Sequence, residues 1–279
     1  MTDVTTGPIR TGDGVDLNVT RWGDGPPVLL MHAWALTGKM WDHQIPALVD
    51  AGYSCIIPDR RGHGRSSVAS TGYDLDTLAH DIATIVDHLD LENLVLVGHS
   101  AGAQEIVRYL TLHGEQHARA VVLSAPMTPC VLQRDDFPLG VPEADFEAIR
   151  NGWLTDFGTW VNDNTDSYFG DATVSAPLID VTVRMLMDTP MSVVLETHRT
   201  LTRADLRSDL AQLTVPTTVI HGTLDTSAPI DATGRPTADI IPGAHLIAIE
   251  GAGHGLYHAH TEQYNRALLA AIRTDPGDF

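Results

Sequence analysis

The sequence predicts an α/β fold, a mostly parallel central sheet with helices on both faces, and three observations carry that prediction. Short apolar runs such as Val28 to Met31 and Leu94 to Val97 are unbroken, as strands covered on both faces require. Between the runs lie segments whose apolar residues step by three and four, the spacing of one helix face; Leu78, Ile82, Ile85 and Leu89 are the clearest case. The third is Gly98-His99-Ser100-Ala101-Gly102, which joins the strand Leu94 to Val97 directly to a helix beginning near Gly102. A glycine-framed serine on a strand-to-helix turn reads as a nucleophile elbow, its hydroxyl outward above the helix N-terminus.

The 279 residues contain no Pro/Gly/Ser-rich linker and no charge block, which favours one large domain with an insertion over two small ones. A hydrophobic content of 43% supports a sizeable core. The net charge of -19 opposes binding to nucleic acid or to an anionic membrane. No stretch approaches the roughly 20 apolar residues of a membrane span. Cys55 and Cys130 are too few for a disulfide framework, and Met1 to Arg10 has no apolar leader core, so a reduced, cytoplasmic protein is expected. Asn18-Val19-Thr20 matches a glycosylation sequon that has no meaning without secretion. A homo-oligomer is compatible with the sequence.

Taken in order, Val15 to Trp22 alternate as an antiparallel edge strand, and Gly23 to Pro27 turns the chain into the buried run Val28 to Met31. His32-Ala33-Trp34-Ala35 follows it. A helix is expected around Met40 to Ala51, then the strand Ser54 to Asp59. Arg60-Arg61-Gly62-His63-Gly64-Arg65-Ser66-Ser67 is the most basic stretch; in so acidic a chain its arginines are expected to pair with carboxylates rather than with phosphate. Arg119 to Ser124 is the next strand.

Regular alternation stops at Pro126 and resumes at Leu213, which divides the chain into a core of residues 1–126 and 213–279 and an inserted helical cap, 127–212. The cap holds Phe137, Phe146, Phe157 and Phe169 with Trp153, Trp160, Met185, Met187 and Met191. These side chains suit either an apolar pocket over the elbow or the cap's own small core. Strands return at Thr217 to Gly222 and His245 to Glu250, a helix near Thr261 to Ile272 closes the fold, and Asp275 to Phe279 is expected to fray.

A serine needs a base, and the base needs a carboxylate to orient it. Asp225 lies just past one strand and His254, in Gly251-Ala252-Gly253-His254-Gly255, just past the next, where open parallel sheets carry their chemistry. The order Ser100, Asp225, His254 is that of α/β-hydrolases. His221, His245 and His260 look structural by comparison. His254, His258 and His260 also form a possible metal-ligand set, but they lack the H-E-x-x-H pattern and an acidic ligand. Gly251-x-Gly253-x-Gly255 does not have dinucleotide spacing. The residues therefore call for no cofactor and no metal.

Met31-His32-Ala33-Trp34, Trp41 to Val49, Asp59 to Ser67, Gly98-His99-Ser100, Val219 to Gly222, Pro229 to Gly234 and Gly253 to Leu256 together resemble the cofactor-free bacterial haloperoxidase and aryl-esterase branch of the α/β-hydrolases. The resemblance spans nearly the whole chain and is weakest in the cap. It implies a Ser100, Asp225, His254 triad and an oxyanion hole from the backbone N–H groups of Trp34 and Ala101. The expected activity is hydrolysis of small to medium apolar carboxylic esters or lactones through an acyl-enzyme on Ser100. A cofactor-free perhydrolase or haloperoxidase and a hydrolase-like small-ligand receptor are the alternatives. This chain departs from the family in having His32-Ala33 where His-Gly is usual, and Ala35 where haloperoxidases often have proline.

Overall fold

The computed structural model describes residues 7–273. The expected fraying of Asp275 to Phe279 lies outside them, as does the start of the Met1 to Arg10 segment. Nine strands and ten α-helices are present among the described residues. Strands β1 (Ile9–Arg10) and β2 (Asp16–Leu17) form a small antiparallel ribbon. The main sheet contains β3 (Val19–Trp22), β4 (Pro27–Met31), β5 (Ser54–Pro58), β6 (Leu94–His99), β7 (Ala118–Ser124), β8 (Thr217–Gly222) and β9 (His245–Ile249). Its spatial order is β3-β5-β4-β6-β7-β8-β9, with only β3 antiparallel.

Alternate residues of the central strands feed two cores, as a period of two requires. Leu29, Met31, Leu94 and Leu96 pack with Ile82 and Ile85 of α2 (Leu75–His88) and with Ile106 and Leu110 of α3 (Ala101–His113). Val28, Leu30, Val95 and Val97 face the other way, onto Leu48 of α1 (Ile45–Asp50) and Leu268 and Ile272 of α10 (Thr261–Arg273). Burial on both faces is what the unbroken apolar runs encode.

Two expected elements are divided. The edge strand Val15 to Trp22 breaks at Asn18, whose amide N–H donates to Ser66 Oγ at 2.8 Å and whose Nδ2 donates to Asp59 Oδ2 at 3.0 Å, so a neighbouring loop takes the ladder's place. The helix expected from Met40 becomes a 3₁₀ turn, Gly38–Trp41, and the separate α1, with Pro46 in the first turn of the latter. Proline lacks the N–H that a continuous helix would need there.

Between β7 and β8 the chain is helical: α4 (Glu143–Phe169), α5 (Ala176–Asp188), α6 (Met191–Arg203) and α7 (Arg207–Leu210). Helix α4 is broken at Asp156 (φ -157, ψ 88), whose carboxylate accepts from Thr159 N at 2.9 Å and restarts the helix as an N-cap would. Helices α8 (Gly234–Ile240) and α9 (Leu256–Ala259) flank β9. No helix among the described residues is long and apolar enough to cross a membrane.

Candidate active site

Ser100 follows β6 as the N-cap of α3 and has φ 56, ψ -113, a left-handed conformation that a side-chain-bearing residue adopts only under constraint. Close packing supplies the constraint. A Cβ on Gly98 would stand 2.5 Å from the Gly102 carbonyl oxygen, and one on Gly102 would stand 2.5 Å from that of Met31, so both elbow glycines are required by contact. Ser100 N–H donates to Ser124 O on the neighbouring strand at 2.8 Å. Ala101 is the first residue of α3, so its amide has no acceptor within the helix.

Asp225 and His254 come from the ends of β8 and β9, and Asp225 Oδ2 lies 2.7 Å from His254 Nδ1. A carboxylate only accepts, so Nδ1 carries the proton and Nε2 is left as the basic nitrogen. Asp225 is 5% exposed. Its Oδ1 accepts from Ser227 N at 2.9 Å and Ala228 N at 2.8 Å. Burial alone would raise its pKa; the positive field of His254 and hydrogen bonds from His221 and His254 outweigh it and hold the carboxyl below its ordinary value. His221 thus does more than fill space: its Nε2 is 2.8 Å from Ala228 O and 3.2 Å from Asp225 Oδ2, so it donates toward the acid. The sequence reads it as structural, because its signal toward the acid is only its position near the end of the same strand, four residues before Asp225.

The loop carrying His254 is clamped by the cap. Gly255 N–H donates to Tyr168 O at 2.6 Å, and a Cβ on Gly253 would stand 2.5 Å from Gly170 N. The Tyr168 ring lies 5.6 Å from that of His254, and its hydroxyl is 2.9 Å from that of Tyr257. Behind the serine, burial and the adjacent His254 push the His99 imidazole well below its ordinary range, while its Nδ1 meets Ser124 Oγ at 2.9 Å.

Trp34 stands at the end of β4 beside the elbow. Its indole N–H donates to Val194 O of α6 at 3.1 Å, and its ring stacks on Trp153 at 4.9 Å. The preceding backbone is held by Arg60, which donates to the carbonyls of His32 at 2.7 Å and Ala33 at 3.1 Å and pairs with buried Glu105 of α3. Arg61 pairs with Asp81 at 2.7 Å and Asp13 at 2.8 Å. Arg60 and Arg61 of the basic stretch are therefore paired with carboxylates and tie the β4 loop to the helix behind Ser100, while the Arg65 guanidinium meets the Thr20 hydroxyl at 3.4 Å instead. Ala35 has φ 55 and its carbonyl accepts from Thr189 Oγ1 at 3.1 Å, so this loop has a turn that proline, fixed near -65°, does not permit.

Ser100, His254, Ala33 and Trp34 open on one cavity of about 350 Å³ beneath the cap. The cap's aromatic residues divide between the two expected roles. Phe146, Trp153, Trp160 and Phe169 line the cavity. Phe157 and Met191 pack with Trp153 in a small cap core, Met185 joins the main core, Phe137 lies under Arg207, and Met187 is exposed. The histidines 254, 258 and 260 do not converge: His258 packs on His43 at 5.0 Å and His260 contacts Gln263 at 3.1 Å. Among the described residues no three His, Cys, Asp or Glu side chains group as a metal site requires. Cys55 and Cys130 are both buried free thiols.

The model of the alpha/beta hydrolase fold matches residues 26–172. A non-heme chloroperoxidase of Kitasatospora aureofaciens is 38% identical over 265 residues, covering 93% of this chain and 96% of that protein. Among solved structures, a bromoperoxidase of Bacillus anthracis is 31% identical with a TM-score of 0.91, covering 96% of this chain and 99% of its own. An esterase of Exiguobacterium antarcticum is 28% identical with a TM-score of 0.93 at the same coverage. Elbow, sheet order and these likenesses agree: the chain belongs to the α/β-hydrolase family, in its cofactor-free haloperoxidase branch.

Proposed function

We propose that the protein is a serine hydrolase of carboxylic esters or lactones. Ser100 attacks the acyl carbon while His254 Nε2 takes its proton, Asp225 holds the imidazole, and the Trp34 and Ala101 amides receive the oxyanion. The alcohol leaves with the proton from His254, and water, activated by the same histidine, releases the acid from Ser100. The observation that carries this reading is the 2.7 Å contact between Asp225 and His254 beside a serine that opens on the same cavity. The cavity's size and mainly apolar wall support small to medium apolar substrates. In this reading residues 127–212 form the substrate-enclosing cap and 1–126 with 213–279 the two parts of the catalytic core. Labelling with a fluorophosphonate tests it: modification at Ser100 that abolishes turnover of simple esters is expected, and an unlabelled Ser100 in active protein overturns it.

The peroxidase names of the relatives favour a second reading, in which hydrogen peroxide replaces water as the attacker of the acyl-enzyme and the product is a peracid. The turn at Ala35 speaks for water as the main acceptor, since the loop lacks the proline constraint that would re-aim the Trp34 carbonyl toward the acyl carbon.

A further inference from the structure

Most polar side chains on the cap side of the cavity above Ser100 are committed elsewhere, and the unpartnered Trp153 indole N–H is itself buried. The Thr165 and Thr182 hydroxyls donate back to Val161 O at 2.8 Å and Leu178 O at 3.2 Å, and Asn164 Nδ2 donates to Trp160 O at 2.7 Å. The Trp34 indole is committed to Val194 O. His198, one helical turn after Val194 on α6, differs from all of these. Arg150 Nη1 lies 3.1 Å from its Nδ1. A guanidinium has only donors, so Nδ1 must accept, and the proton of the neutral ring sits on Nε2.

The arrangement is built. Arg150 is 1% exposed and is held by Glu143 at 3.0 Å and Glu147 at 2.9 Å, which balance its charge. Trp153, Trp34 and Phe146 surround the His198 ring at 4.6, 5.4 and 5.7 Å. Burial, with the charges of Arg150 and Arg199, pushes the imidazole down to about 3, so the ring stays neutral at ordinary pH. His198 lines the cavity, and among the described residues no acceptor meets its Nε2.

We propose that His198 is a specificity-determining donor, its Nε2–H binding a second carbonyl-type oxygen of the substrate, so that the site selects apolar esters or lactones that carry a keto or amide group away from the scissile bond. The proposal rests on the hydrolase reading of Ser100. A plain alkyl chain filling the cavity would strip water from this N–H and give it no partner, whereas a carbonyl satisfies it. The donation from Arg150 into Nδ1 polarises the ring and strengthens the bond that Nε2–H makes.

The test compares para-nitrophenyl hexanoate with its oxo analogues, the ketone placed at successive carbons. The unaltered protein should favour at least one oxo ester in kcat/KM by roughly tenfold. His198→Phe should erase that preference, read as the ratio of oxo ester to hexanoate whatever the absolute rates, and His198→Gln, which retains an N–H donor, should restore part of it. Absence of any oxo preference, or its survival in His198→Phe, overturns the proposal. A second measurement needs neither the His198 variants nor turnover. In Ser100→Ala protein, methyl hexyl ketone should quench tryptophan fluorescence more tightly than octene and shift the nitrogen NMR signal of His198 Nε2–H; a proton found on Nδ1, or equal binding of the two ligands, overturns it. The two readings fail separately. Ketone-selective binding without hydrolysis of any ester breaks the hydrolase reading and leaves the donor, while hydrolysis with no oxo preference breaks the donor alone.

Discussion

The rim of the sheet and the helical cap meet at one cavity, yet they are built on opposite terms. On the rim, each chemical group sits at the end of a strand: Trp34 after β4, Ser100 after β6, Asp225 after β8 and His254 after β9. Parallel topology brings those ends together whatever the side chains between them. In the cap the groups that face the cavity come from α4, α5 and α6, with Met127 and Val141 of the segment before them, and which face of each helix turns inward depends on packing against the other two. In the proposed function the rim supplies chemistry fixed by topology, and the cap supplies selection fixed by tertiary contact.

The largest effects are therefore expected on the rim. Ser100→Ala and His254→Ala should each lower turnover of a simple ester by about 10⁴ to 10⁶, and the double variant should cost little more, because the groups act as a unit. A Ser100→Ala protein that keeps more than a tenth of its activity breaks the assignment of the nucleophile. Asp225→Asn should follow with a loss on the order of 10⁴, since the amide offers Nδ1 the wrong partner and the imidazole turns to the wrong tautomer. Full activity in that variant would move the acid elsewhere on the rim. A chelator should leave all of these rates unchanged, given that the neighbouring histidines point apart.

How much of this was legible in the sequence follows the same division. The elbow, the proposed acid and the proposed base are written as local strings, a strand followed by Gly-x-Ser-x-Gly, by Gly-x-x-Asp or by Gly-His-Gly, and a local string suffices when a strand end determines location. His221 reads as structural in the sequence because its contact with Asp225 depends on a turn that doubles back through Ala228. The clamp of Tyr168 and Gly170 on the His254 loop joins residues more than eighty positions apart, and no periodicity records it. The aromatic richness of the cap was visible, but its partition into cavity wall and small core was not, since both use the same residue types. As a residue type Ala35 records only that proline is absent; its φ of 55 is a property of the loop, held by Thr189 of the cap and by the arginine network beneath.

A stability comparison sharpens the contrast at a few kcal/mol. Gly102→Ala drives a Cβ to within 2.5 Å of a rigid carbonyl in the centre of the core, and should destabilise by about 1–3 kcal/mol. Leu154→Ala, on a 61% exposed side chain of α4, should change stability by less than about 0.5 kcal/mol. Urea midpoints decide the matter; equal losses would mean that the cap is packed as stringently as the elbow. Acid should act on both regions through buried neutral histidines. Burial and Arg60 push His63 of the core down to about 3, burial and His43 push His258 to about 4, and in the cap burial and Arg150 push His198 to about 3. An unfolded chain takes up these protons near pH 6.5, the folded one only well below it, so stability is complete above about 6.5 and falls as the pH drops from there toward 3. Urea midpoints at neutral and acid pH, with proton uptake on unfolding, check this; greater stability in acid would contradict it.

The smallest effect expected on the reaction itself is a change of ratio, and it lies where rim and cap touch. Ala35 follows the proposed oxyanion residue, and its carbonyl is held by the cap through Thr189 Oγ1 at 3.1 Å. Proline at this position cannot hold φ 55, and it restricts Trp34 before it to extended conformations. In Ala35→Pro the loop must give up its present turn, and the Trp34 carbonyl turns toward the acyl carbon, where an attacking peroxide can donate a hydrogen bond to it. Ester hydrolysis should fall, and the ratio of perhydrolysis to hydrolysis should rise by about tenfold, equivalent to roughly 1.4 kcal/mol between the two transition states. Peracid formation and ester hydrolysis measured side by side in acetate and peroxide give that ratio for both proteins. A natural protein that already makes peracid as fast as it hydrolyses esters would show that the turn at Ala35 does not discriminate against peroxide, and would give the site to the second reading. A variant with slower hydrolysis and an unchanged ratio would show instead that the cap's grip on this loop supports the oxyanion site without choosing between water and peroxide.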